Sequence, residues 1–321
     1  MEIFERSGEI LENSTRTLHL MGTVIDFTVV AEDVDRILNE LSRRIKMYEH
    51  RFSANDDSSE LMAVNLSAGI KPVKVQPELF QLIALGLENS QASDSLLNIA
   101  IGPLIQTWRI GFKEANVPTA DTIAEKLKLI DLSQIILNKS AQTVFLKRAG
   151  MRLDLGALAK GFIADLLIDY LKEENVDSAL LNLGGNVMTL GHSPRQTDGT
   201  WHIGIQNPKG ARDDLLCQIK VSNQSVVTSG IYERQLTDHG QTYHHIFNPE
   251  TGYPVETNVA SLTIISDKSV DGEIWTTRLF GQPYEKILAT VTTLPNIESV
   301  VVLKNGQLFY TPALQEKIIF G

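Results

Sequence analysis

Cysteine is nearly absent: Cys217 is the only one in 321 residues. A single thiol cannot form an intrachain disulfide, and a cysteine-based zinc site needs more ligands. It lies in Leu215-Leu216-Cys217-Gln218-Ile219, which reads as a strand, so a buried structural thiol fits better than a nucleophile. Long apolar runs are missing too. No stretch approaches the ~18 uncharged residues of a membrane-spanning helix, so no transmembrane segment is expected. Basic charge is scarce: 29 Lys and Arg face 39 Asp and Glu, a formal net charge of −10. A nucleic-acid partner needs clustered cations. The densest cluster, Ser42-Arg43-Arg44-Ile45-Lys46, reads as the polar side of a helix, so no nucleic-acid partner is expected. An anionic small molecule stays open, because a local site or a metal can hold it against the net charge. The first residues carry acid and no apolar run, so the expectation is no signal peptide and a cytoplasmic location, with a processed secreted form left open.

What is present is an ordinary globular composition. Hydrophobic residues make up 43%, which excludes disorder, and the 22 Gly and 11 Pro exclude collagen-like and low-complexity chains. A chain of this length can bury a large core. Residues 17–30 are rich in β-branched and aromatic side chains around Gly22 and read as a strand or bulged hairpin. Val34, Ile37, Leu38, Leu41 and Ile45 have helical spacing, which predicts a helix over 33–48. The polar stretch 51–65 reads as a loop. Further helices are predicted over 77–90, 102–108, 120–129, 158–172, 269–280 and 284–293. Strands are predicted over 178–183, 201–206, 214–220, 224–230, 258–265 and 297–303. Helices come early and strands late, without steady alternation. The fold class is therefore α+β, a largely antiparallel sheet with packed helices in a single compact two-lobed unit.

Five segments could carry chemistry. In Leu153 to Phe162 a strand is predicted to end in a Gly-containing turn before a helix, where backbone N–H groups and Lys160 could receive an anion. It is not the phosphate-loop pattern, and an ordinary junction with a surface lysine fits better on spacing alone. Gly184-Gly185-Asn186 fits a hairpin turn or a close ligand approach. Thr228-Ser229-Gly230-Ile231-Tyr232-Glu233-Arg234 fits a strand-end turn or a set of hydroxyl and amide donors. His244-His245 leads into a turn at Asn248-Pro249. Neighbouring residues on a strand point to opposite faces, so one of the two histidines at most faces a given site, where it could act as a general base. Glu273 and Thr277 are four apart and share a helix face. A carboxylate and a hydroxyl suit a hard cation such as Mg²⁺, although acids are also favoured in any first helical turn.

Taken in order, these segments resemble the ApbE family of FAD:protein FMN transferases. The counterparts of the family motifs are Met21-Gly22-Thr23, Phe52-Ser53 with Ser59-Glu60-Leu61, Gly102-Pro103-Leu104 and Asp154 to Gly161. They continue with Gly184-Gly185-Asn186, Thr228 to Arg234, His245 to Pro254 and Glu273 to Thr277. The resemblance covers residues 17–310, leaving 1–16 as an N-terminal extension and 311–321 as a C-terminal tail. It implies an enzyme that cleaves FAD, moves its FMN half to a Thr or Ser hydroxyl of a target flavoprotein and releases AMP with Mg²⁺. It also implies roles. Met21, Asn55, Leu96, Leu97, Asn98, Lys160, Ile246 and Phe247 match positions that contact FAD. The Ala157 carbonyl, Glu273 and Thr277 match the Mg²⁺ ligands, and His245 matches the residue proposed to activate the acceptor hydroxyl. His244 matches no functional position.

Three departures from the family pattern bear on activity. The helix acid is usually Asp and here is Glu273. An aromatic residue often stands where this chain has Asn55, which removes a stacking surface and favours hydrolysis. The family's A-F-D becomes Leu96-Leu97-Asn98, which loses a charge. Two alternatives follow: an FAD pyrophosphatase yielding FMN and AMP, and a non-catalytic FAD-binding homologue. Many bacterial members are lipoproteins anchored through a cysteine after a signal peptide. Cys217 does not occupy such a position, in keeping with the cytoplasmic expectation.

Overall fold

The computed structural model describes residues 2–6, 9–211 and 213–320. Met1, Ser7 and Gly8 of the expected N-terminal extension, Arg212, and Gly321 of the expected tail lie outside the described residues. Its centre is a nine-stranded antiparallel sheet. In spatial order the strands are Glu2–Arg6, Glu9–Leu20, Thr23–Ala31, Ser178–Leu183, Asn186–Leu190, Ser225–Gly230, Val259–Ser266, Glu298–Leu303 and Leu308–Tyr310. Spatial order is therefore also chain order. The sheet is a meander, and everything else is inserted between its strands.

That meander sorts the connections by parity. Antiparallel neighbours reverse direction at each step, so alternate connections emerge at the same end of the sheet. The turn at Met21-Gly22, the turn at Gly184-Gly185 and the 231–258 insertion share one end. A Cβ on Gly184, at φ +65°, would stand 2.3 Å from Thr23 Oγ1, which shows how closely two of these turns meet. Only a residue without a side chain fits there.

Eight α-helices occur among the described residues: α1 Val34–Phe52, α2 Glu60–Leu66, α3 Pro77–Ser90, α4 Gly102–Trp108, α5 Ala120–Leu127, α6 Ala159–Glu173, α7 Ser269–Leu279 and α8 Tyr284–Thr292. The first six lie in the insertion between Thr23–Ala31 and Ser178–Leu183. Asp33 caps α1 by accepting the Arg36 N–H at 3.2 Å. The predicted loop over 51–65 is wrong at both ends. α1 continues to Phe52, which is buried, and α2 fills the second half. Ser59 Oγ accepts the Met62 N–H at 2.9 Å, and Leu61, Met62 and Val64 are buried. Two turns are too short to show a helical period, so the cap was the readable signal. The strand expected before Gly156 is not formed either. Arg152 makes a single bridge with Ile101, and the chain then passes through a turn at 156–158 into α6. Gly86 is tolerated inside α3 because a Cβ there would meet Ile99 at 2.6 Å.

The packing is layered. Ile25, Phe27 and Val29 turn one face of the sheet toward Ile37, Leu38 and Leu41 of α1 and Ile163 and Leu167 of α6. On the other face, Val226, Ile265, Val300 and Val302 meet a three-stranded sheet of Trp201–Gln206, Leu215–Val221 and Ile318–Phe320. Cys217 is buried there, and burial pushes its thiol up to about 11, as expected of a structural cysteine. Leu262, Ile264 and Val301 face Phe280, Ile287 and Val291 at the end of α7 and in α8. The strand Val259–Ser266 is thus buried along its whole length. No helix among the described residues is long and apolar enough to cross a membrane.

Trp108 joins α4 to the 244–254 segment. It is fully buried, its indole N–H donates to the Gly252 carbonyl at 3.0 Å, and its ring lies 5.8 Å from that of Phe247. Trp108→Ala is expected to lower stability by about 3–5 kcal/mol in chemical denaturation, through the cavity and the lost hydrogen bond.

Candidate functional site

The site is organised where α6 and α7 cross at close range. A Cβ on Gly161 would stand 2.6 Å from the Ser269 carbonyl oxygen and 2.7 Å from Glu273 Cγ. Glycine at 161 is what lets the two helices come this near. The helices run antiparallel: Asp165 lies at the start of α7, and Lys160 lies one turn further along it, at Glu273.

Glu273 is 5% exposed, so its polar head needs partners inside the fold. It has two. Lys160 Nζ lies 3.0 Å from Oε1, and Asn186 Nδ2 donates to the same oxygen at 3.0 Å. Asn186 is in turn fixed by Ser269 Oγ, which donates to its Oδ1 at 2.5 Å. Gly184 and Gly185, at φ +65° and +91°, form the two-residue hairpin turn before Asn186. The turn is a plain one, but the residue after it orients the acid.

Asp165 was not singled out by any motif. From α6 it accepts the backbone N–H groups of Ser269 at 2.7 Å and Val270 at 3.0 Å, the first turn of α7. Lys268, the residue that precedes that turn, supplies no side-chain cap. Asp165 therefore caps α7 from the neighbouring helix. Burial pushes its carboxyl up to about 6, even though both amides favour the charged form. A carboxylate at helical phase opposite a later helix start would have been the only sequence clue.

A second group surrounds His245. Its Nδ1–H points to the Arg234 carbonyl at 3.4 Å, which leaves Nε2 as the acceptor nitrogen. Burial pushes its imidazole down to about 4, and the charges of Arg234, His244 and Lys160 act in the same direction. It is neutral at pH 7. His244 is buried on the opposite side. Its Nε2 donates to the Val255 carbonyl at 2.9 Å and its Nδ1 accepts the Ile246 N–H at 3.3 Å, a structural role. Asp154 is half-buried with its Oδ1 accepting the Gly156 N–H at 2.9 Å, and desolvation raises its pKa.

The remaining sequence candidates are placed as follows. Met21 sits in the turn beside Gly22, at φ +54°, at the His245 end of the sheet. Ala157 is exposed in the turn before α6. Thr277 lies one helical turn beyond Glu273 and is half-buried. Phe247 is buried against Trp108, whereas Ile246 is half-buried against the α8 side. Leu97 is buried in the core, and Asn98 bonds internally, from Nδ2 to the Ile130 carbonyl at 3.1 Å and from the Ala100 N–H to Oδ1 at 2.8 Å. Leu96 packs over Gly281. Asn55 is exposed and accepts from Gln106 Nε2 at 3.0 Å. Side-chain contacts thus join Lys160 and Glu273. They do not join Asn55 or Leu96 to Asn98 with that pair.

Two outcomes are expected. Gly161→Ala should force α6 and α7 apart and lower stability by about 1–3 kcal/mol in denaturant titration. For Asp165, the folded form holds its proton to higher pH than the unfolded form, whose pKa is near 4. Its contribution to stability is therefore full below pH ~4 and lost as pH rises through about 6. Stability curves of the native chain and Asp165→Asn across pH 4–8 should diverge with that sign.

Comparison with known proteins agrees with this architecture. The ApbE family model matches residues 21–301. A Klebsiella pneumoniae (strain 342) protein named FAD:protein FMN transferase is 42% identical over 90% of this chain and 89% of its own length. One of the same name from Treponema pallidum (strain Nichols) is 35% identical over 90% of this chain and 83% of its own length. The crystal structure of an ApbE protein from Thermotoga maritima superposes with a TM-score of 0.86 at 25% identity, covering 95% of this chain and 99% of that one. The flavinyl transferase ApbE of Pseudomonas stutzeri, at 24% identity, shares the fold with a TM-score of 0.81 over 97% of this chain and 98% of its own. With most of its length matched, the chain belongs to the ApbE family.

Proposed function

We propose that this chain transfers FMN from FAD to a Ser or Thr hydroxyl of a target protein and releases AMP. The observation that carries the reading is a neutral His245 with its Nε2 uncommitted, within electrostatic reach of Lys160. Relatives at 42% and 35% identity that are named FAD:protein FMN transferase support it. In the reaction, the acceptor oxygen attacks the FMN phosphorus. The bond from that phosphorus to the bridging oxygen breaks, and AMP leaves with the electron pair. His245 Nε2 takes the hydroxyl proton. Lys160 balances negative charge on the diphosphate. Met21, Ile246 and Phe247 would border the flavin. Leu96, Leu97, Asn98 and Asn55 would line the rest of the FAD site, with Leu97 and Asn98 contributing backbone, since their side chains are committed inside the fold.

The residues present also suit Mg²⁺. Glu273, Thr277 and the Ala157 carbonyl form an oxygen-only donor set, which a hard cation prefers. Glu273 Oε1 is engaged by Lys160 and Asn186, which leaves Oε2 for a metal. Ala157 precedes α6 by two residues, and Thr277 lies one helical turn beyond Glu273 on α7. Among the described residues no three His, Cys, Asp or Glu side chains converge. That suits an ion that keeps several waters or phosphate oxygens better than a protein cage. A bound Mg²⁺ would supply charge neutralisation on the phosphate oxygens.

A second reading is hydrolysis, with water in place of the acceptor hydroxyl. The exposed Asn55, which offers no aromatic surface, favours it. One experiment separates the two. The protein is incubated with FAD, Mg²⁺ and a Thr-bearing target domain, and flavin fluorescence is read on a denaturing gel. Transfer leaves a fluorescent target band, whereas FMN and AMP released without a target mark hydrolysis. No label, under conditions where another transferase labels the target, would overturn the transferase reading. His245→Ala should slow transfer by roughly 10²- to 10⁴-fold while FAD affinity changes less than about threefold. Equal losses would make His245 a binding residue.

A further inference from the structure

Arg234 ends the Thr228–Arg234 segment and has so far only lent its carbonyl to His245. Its side chain differs from most arginines of this molecule; only Arg195, exposed and held by its backbone N–H to Ser193, is similarly unpaired among the described side chains. Arg16, Arg36, Arg44, Arg51 and Arg109 each lie within ion-pair distance of a carboxylate. Arg148 and Arg152 donate to backbone carbonyls, and Arg278 to Asn89. Among the described residues, the Arg234 guanidinium makes no ion pair and no hydrogen bond. It is exposed to solvent. Its field reaches the half-buried Asp154 without contact.

The chain nevertheless keeps space for it. A Cβ on Gly111, at φ +89°, would stand 2.7 Å from Arg234 Cδ. A Cβ on Gly22, at φ +68°, would stand 3.6 Å from Nη2. The stem of the arginine therefore lies on one left-handed glycine and its head against another. This placement puts the guanidinium beside the Met21-Gly22 turn. Lys160 acts on His245 as well, but it is already paired with Glu273. His245 thus has two cations in range, and the unpaired one is on the Met21 side.

Resting on the transferase reading, we propose that Arg234 binds the FMN phosphoryl group of FAD, the one that is transferred. A guanidinium presents parallel N–H donors that match phosphate oxygens, and an unpaired one has no ion pair to break first. Diphosphate has two phosphoryl groups, and a guanidinium on the Met21 side meets the one carried by the ribityl chain of the flavin. Arg234 would hold that phosphorus in place while its bond to the bridging oxygen breaks and AMP departs. Lys160 is left to the AMP side.

Binding of four probes tests the assignment: FMN, FAD, riboflavin and AMP, titrated into the full chain, Arg234→Met and Arg234→Lys. Arg234→Met should weaken FMN and FAD by roughly 10- to 100-fold, leave riboflavin and AMP within about twofold, and keep the melting midpoint of the unaltered chain. Arg234→Lys should recover part of the FMN affinity. Unchanged FMN affinity in Arg234→Met would overturn the proposal, and with a raised KM for the target it would point to an acidic acceptor group instead. Equal weakening of riboflavin, or a lowered melting midpoint that accounts for the loss, would overturn it in favour of a structural arginine. An unaltered chain that binds neither FAD nor FMN would overturn the transferase reading and this proposal together.

Discussion

The close approach of α6 to α7 at Gly161 is the constraint on which the rest of the site depends. Without a side chain at 161, the backbone of α7 comes within van der Waals distance, and Lys160 and Glu273 meet across the gap. A buried carboxylate survives only when its lone pairs are answered. Here an ammonium and an amide answer one oxygen, and the amide is itself locked by Ser269 on the first turn of α7. Asp165 fixes that same turn from α6. The helix pair and the polar network therefore position each other.

The meander supplies the second half of the site by parity. Segments far apart in sequence share one end of the sheet because an even number of reversals separates them. This brings the Met21-Gly22 turn, the Gly184-Gly185 turn and the insertion carrying Arg234 and His245 together. Within that insertion, the strand Gln241–His244 ends between the two histidines, and their side chains take different partners. One is spent on the Val255 carbonyl and the other turns to Arg234. The result is a neutral imidazole near two cations, a setting suited to taking a proton beside a polyanionic substrate.

The helical spacing of Val34, Ile37, Leu38, Leu41 and Ile45 located α1, because a nineteen-residue amphipathic helix repeats its period often enough to be seen. α2 was missed, because seven residues do not. The strands 178–183 and 201–206 were found by their β-branched and apolar runs, whereas Asn186–Leu190 lay hidden behind a turn. The resemblance pointed to Lys160, His245 and Glu273. It could not show that Asn186 bonds Glu273, nor that Asp165 caps α7, because both pairs are long-range and neither has a spacing rule.

The sequence by itself determined the class of the fold, the burial of Cys217 and the order of the motifs, since these follow from local period, hydrophobicity and residue type. Only the tertiary structure decided which charges are paired and which are free. Lys160 and Arg234 look alike along the chain, yet one is neutralised by a buried acid and the other is not. The physical reason is that pairing depends on distances of a few ångströms between segments separated by tens to hundreds of residues. Helix crossing at Gly161 and strand parity set those distances, and no local pattern encodes them.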